Sequence, residues 1–185
     1  MTDDIQNTKG QKPEDAPEDR EIAIDSLPMT VHAQYIRDLS FENPNSPESL
    51  RAGQDAPEMD VNIGMDARKL DDKEIDDLYE VVVNVRAEAL RGETGVFLVE
   101  LQYGITVSLN GVPENQHHPL LLIEAPRLAF PFCRQIISDA TVQGGFPPLL
   151  LNPVDFHALY MQRFSKEIEE SQKAAEAAPQ DAGKA

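Results

Sequence analysis

The sequence predicts an α+β fold: a four-stranded antiparallel sheet with two helices on one face. Two observations predict it. Apolar and polar residues alternate through four segments between 29 and 110. Helix start signals, helical apolar spacing and a Gly-Gly stop then follow. A block of strands followed by a block of helices argues for helices packed on a sheet.

Residues 1–28 are acidic and contain almost no large apolar side chain before Ile22. Such a segment cannot bury enough surface to offset its ordering entropy, so a disordered extension is expected there. A folded domain is expected over 29–170, then a flexible Ala/Glu/Lys tail over 171–185. The first strand places Val31, Ala33, Tyr35, Leu39 and Phe41 on one face; Ile36 and Arg37 break the pattern, as an edge strand permits. Asn43-Pro44-Asn45-Ser46-Pro47 ends it and opens a long loop to about 58, functional or disordered. The second strand turns Met59, Val61, Ile63, Met65 and Ala67 inward. A connection rich in acids then leads to a hairpin over Leu78–Asn110. Its odd positions (Val81, Val83, Val85; Val99, Leu101, Tyr103) face the core, and a one-residue slip would expose them all. An apolar crossover spans 112–125. Pro126 is expected to start a first helix that ends at Gly144-Gly145, with Pro131 either kinking it or marking its true start. Asn152 is the expected N-cap of a second helix, with Pro153 at N1 and Asp155 at N3.

Charge narrows the partners. The chain carries −17 overall, and residues 29–164 hold twenty acids against ten bases. That sign disfavours nucleic acid and anionic membranes and favours basic partners. A single cysteine, Cys133, fits a reducing compartment, and no apolar run approaches a membrane span, so a cytoplasmic protein is expected. If the strands share one sheet, Asp38, Glu42, Asp60, Asp66, Glu80, Glu88 and Glu100 face outward against Arg68 and Arg86, with Leu98 among them. This is either a docking patch for a basic, partly apolar partner or a solvated face. The apolar surface of the inner sheet face, the crossover and Phe146–Leu151 exceeds what two helices cover. Such surplus serves an oligomer interface or an apolar groove.

Catalytic patterns are not met. His117, His118, His157 and Cys133 lack zinc-ligand spacing, so no metal is expected. No nucleophile elbow or phosphate-binding loop occurs, and the acids at 72, 74 and 76 lack the Gly and Glu of a calcium loop. No cofactor and no enzymatic activity are expected.

Particular stretches resemble SecB, the bacterial export chaperone family. They are Asp38-Leu39-Ser40-Phe41-Glu42-Asn43-Pro44-Asn45-Ser46-Pro47, Tyr79-Glu80-Val81-Val82, Phe130-Pro131-Phe132, and the run from Phe146-Pro147-Pro148 to Asn152-Pro153-Val154-Asp155-Phe156. The resemblance implies a homotetramer, a dimer of dimers, that binds unfolded precursor proteins without ATP and passes them to the SecA motor. It places clients against Met59, Val61, Ile63, Leu120, Leu122, Phe156 and Tyr160, and SecA against Asp38, Glu42, Leu98 and Glu100. The tetramer contact falls to the first helix and to Val99, Leu101 and Tyr103. The alternative reading is an adaptor or antitoxin-type chaperone dedicated to one basic partner.

Overall fold

The computed structural model describes residues 28–165. Apart from Pro28, the expected extension over 1–28 lies outside the described residues, as does the tail over 171–185. Four strands, β1 (Met29–Glu42), β2 (Glu58–Lys69), β3 (Leu78–Arg91) and β4 (Thr94–Leu109), form one antiparallel sheet in the order β1-β4-β3-β2. The hairpin therefore lies at the centre and β1 and β2 form the edges. Helix α1 (Ala125–Gln143) follows the sheet, and α2 is helical over 156–165.

The hairpin is in register as the alternation requires, with Val83 opposite Tyr103, Val85 opposite Leu101 and Ala87 opposite Val99. Gly92, at φ +60, supplies the positive angle that a tight two-residue turn needs at its first central position. These inward side chains are buried, each contributing about 1.5–3 kcal/mol where a large aliphatic group leaves water.

Strand β1 departs from simple alternation. Its pairing with β4 shifts between Val31 and Ala33 and again between Ile36 and Asp38. Each bulge reverses the facing, so the expected placement of Ala33 and Tyr35 is corrected: they share the outer face with Thr106 and Gly104. Gln34 and Ile36 face inward in their place, paired with Ile105 and Tyr103. Val31, Leu39 and Phe41 face inward as expected.

The crossover is also corrected. It is helical from His117: an α-helical turn (His117–Pro119) and a π-helical turn (Leu120–Glu124) run straight into α1. Pro126 and Pro131 lie inside this run instead of starting it. A proline lacks the amide that would bond the preceding turn, and the wider π turn precedes Pro126 where that donor is missing.

Asn152 is not the cap of α2. The Ala158 amide donates to Asp155 Oδ1 at 3.0 Å, making Asp155 the N-cap and Phe156 the first helical residue. The loop after β1 is ordered. Arg91 donates to the Asp55 carbonyl at 2.7 Å and to the Gln54 side chain, while Asn45 donates to the Gly95 carbonyl at 2.8 Å.

Helix α1 lies across β4 and β3 and barely reaches β1. The inner face of β1 and the Glu58 end of β2 are left without a helical cover.

Candidate functional site

The inner side of the sheet carries a graded apolar strip. Along β2, Met65 is fully buried whereas Met59 and Val61 are 40% and 39% exposed, with half-buried Ile63 between. Leu120, on the π-helical turn, is half-buried. Leu122, Phe156 and Tyr160 lie in the protomer core, so of the seven predicted groove residues Met59, Val61, Ile63 and Leu120 offer the accessible surface. Helix α2 is tied to this edge: Arg163 donates to the Met65 carbonyl at 2.8 Å and pairs with Asp66 at 3.1 Å. His118 bonds the Tyr160 hydroxyl at 2.9 Å and stacks edge-on against Phe164.

A second apolar surface joins β1 to α1. Val31, Ile36, Leu39, Phe132 and Val142 are all exposed. An open groove of about 450 Å³ runs between Leu39, Phe41, Ile136 and Ala140. Gly144 lies so close to the Phe41 ring that a Cβ there would meet it at 2.2 Å. Val99, Leu101 and Tyr103, predicted to hold the oligomer, are buried within one protomer. Tyr103 stacks on Phe132, ring centres 6.2 Å apart, and so underlies this surface instead of forming it. Strict alternation missed Ile36 as a surface residue; its apolar side chain at an even position was the available signal.

The outer face gathers all four predicted docking residues. Glu42 pairs with Leu98, Ser40 with Glu100 and Asp38 with Gln102 across β1 and β4. Arg86 lies between Glu88 at 2.8 Å and Glu100 at 3.2 Å. A shallow groove of about 330 Å³ lies among Asp38, Asp60, Arg86 and Glu100.

Further along the same face Glu80 is 4% exposed, although it points away from the core. The Tyr35 ring covers Gly104, where a Cβ would meet the ring at 2.6 Å, and the Tyr35 hydroxyl donates to Glu80 Oε1. Arg68 Nε donates to Glu80 Oε2 at 2.5 Å, and Arg37 approaches the same oxygen at 3.6 Å. The Tyr35 hydrogen bond, then Arg68, hold the Glu80 carboxyl below the usual carboxylate range against the opposing effect of burial. Burial, then the hydrogen bond to Glu80 and its charge, raise the Tyr35 phenol.

Of the residues weighed for catalysis, His117, His118 and Cys133 have structural roles. His117 is buried between the Tyr79 hydroxyl at 2.9 Å and the Val112 carbonyl at 2.8 Å. Burial pushes the Cys133 thiol up to about 12, which leaves it protonated and unreactive. Among the described residues no helix is long and apolar enough to cross a membrane.

The chain matches the family model described as preprotein translocase subunit SecB over residues 24–167. It is 48% identical over 145 residues to the protein-export protein SecB of Rhodospirillum centenum, covering 78% of this chain and 84% of that one. It is 49% identical over 138 residues to the same-named protein of Maricaulis maris, covering 75% and 78%. With that of Rhodopseudomonas palustris (strain BisA53) identity is 41% over 169 residues, covering 91% and 98%. A solved SecB-like chaperone of Mycobacterium tuberculosis, bound to a ChAD peptide from an antitoxin, superposes with a TM-score of 0.55 at 12% identity, covering 68% of this chain and 90% of that one. That likeness supports the fold. With a family model running from the expected extension into α2, and relatives matched over most of their own length, the chain belongs to the SecB family.

Proposed function

We propose that this SecB-type chaperone, which is not an enzyme, holds unfolded precursor proteins without ATP in the cytoplasm and delivers them to SecA. One observation carries the holding role: on β2 the strip from Met59 to Ile63 faces the helix layer yet stays open to solvent. An extended apolar segment laid there would bury surface at about 25 cal/mol per Å² without demanding a particular sequence. Methionine adapts to differently shaped side chains, which suits many clients. Asp38, Glu42, Leu98 and Glu100, on the opposite face, take SecA. A homotetramer, a dimer of dimers, covers the apolar surface of Val31, Ile36, Leu39 and Phe132, with Val99, Leu101 and Tyr103 packed beneath it.

The purified protein at several-fold excess is expected to slow refolding of a denatured precursor in the absence of ATP. No delay would overturn this reading. Capture from a denatured lysate separates it from a dedicated adaptor: many precursor bands support the holdase, and one dominant band the adaptor.

A further inference from the structure

The outer face is not uniformly acidic. Glu42, Glu88, Asp60, Glu100 and Asp38 cluster at one end, answered by Arg86 alone. Glu80 and Arg68 lie opposite each other four paired rows from Glu42 and two from Asp38, at about 7 Å per row. There the second bulge of β1 brings Arg37 to the side of Arg68, and the two guanidiniums share one carboxylate, Glu80.

That arrangement leaves donors unused. Glu80 spends Oε1 on Tyr35 and Oε2 on Arg68 Nε. Among the described residues, Arg37 makes no hydrogen bond, and Arg68 engages only through Nε. The neighbouring Asp66 is taken by Arg163 at 3.1 Å and by Asn84 at 2.9 Å. Between them lies a cavity of about 200 Å³, whose lining includes Arg37, Arg68, Glu80, Asn84, Gln102 and also Asp66, the carboxylate already engaged by Arg163 and Asn84. Its charged floor, Glu80, is nearly sealed from solvent and anchors both guanidiniums.

We propose that Arg37 and Arg68 form a carboxylate-binding socket for an acidic side chain of the docking partner. The partner then presents a basic surface to the Glu42–Glu100 end and one Asp or Glu to the socket. Two planar guanidiniums offering free N–H groups match a carboxylate in geometry as well as charge. An end of unanswered acids and an end with two incompletely paired guanidiniums favour one direction of docking, since reversal would set the partner's acid against the Glu42–Glu100 end. The proposal rests on the reading that SecA docks on this face.

The test compares SecA binding to the whole protein and to three variants by titration. Arg37→Ala is expected to weaken SecA binding about tenfold, the scale of one lost charge pair. Arg37→Lys, which keeps the charge but not the fork, is expected to recover part of that loss. A uniformly basic partner gives the opposite sign: removing Arg37 would leave the face more acidic and tighten binding. Tighter or unchanged binding overturns the socket. Glu100→Lys tests the underlying reading separately: if it leaves SecA binding unchanged, the docking face itself is refuted. Retained delay of precursor refolding in each variant shows that the fold and the inner face are intact.

Discussion

Glu80 is the residue on which the outer face depends. It faces solvent by strand parity yet is covered by Tyr35, so its charge acts in a poorly solvated position. Its folded-state carboxyl is held below the reference value of 4.5. The stability it contributes is therefore present above that value and is lost as pH falls through the lower, folded one. Glu80→Gln is expected to cost about 1–2 kcal/mol at neutral pH. Its urea midpoint should fall less than that of the parent protein between about pH 6 and about pH 3. Equal slopes would show that Glu80 is not linked to acid unfolding. Neither Tyr35 nor Arg37 could be placed beside Glu80 from the sequence, because both positions depend on where two bulges fall. The partners come from distant stretches of chain, and strict period-two counting puts Tyr35 on the wrong face.

At the level of elements, the central hairpin was fully legible and the helices only partly so. The odd positions from Val81 to Ala89 and from Phe97 to Leu109 are apolar throughout, with Val82 and Leu98 the apolar residues among the even ones, and pairing follows that parity almost throughout. The helix starts were misplaced because proline and asparagine are permissive signals: they mark where a helix can begin, not where tertiary packing makes it begin. The His117–Glu124 segment carries no N-cap signature yet is helical. Its apolar Leu121, Leu122 and Ile123 are buried in the core, and that packing stabilises the turns. For α2 the cap is Asp155, so Asp155→Ala should destabilise the protein by about 1 kcal/mol, whereas Asn152→Ala should cost less. Chemical denaturation of the pair checks this, and the reverse ranking would restore Asn152 as the cap. The inward facing of Met59, Val61 and Ile63 was legible because they share one parity on one strand, while their use as a groove comes from the family resemblance. The burial of Leu122, Phe156 and Tyr160 was not, since it depends on how α2 folds back.

For the whole molecule, one sheet separates two kinds of surface by the thickness of a strand. Leu101 and Glu100 are neighbours in sequence, yet one is sealed in the core and the other lines the acidic groove of the outer face. Changes on one side should therefore leave the other unaffected. Replacing both Met59 and Val61 with Glu is expected to abolish the delay of precursor refolding while SecA affinity changes less than twofold (about 0.4 kcal/mol). Matched loss of both would mean that the double variant has disturbed the sheet itself. The paired bulges of β1 carry a different kind of constraint, one of counting. Because there are two, parity is restored: Met29 and Val31 return to the side occupied by Leu39 and Phe41. Arg37 is the extra residue of the second bulge and faces no partner on β4, so its deletion alone would leave Ile36 inward and Tyr35 beside Glu80, whereas a deletion at a paired position such as Leu39 would rotate the chain on one side of it to the opposite face. Along this strand, then, the two bulges are the places where the chain can lose a residue without changing face, and a length change anywhere else along it is more damaging than most substitutions.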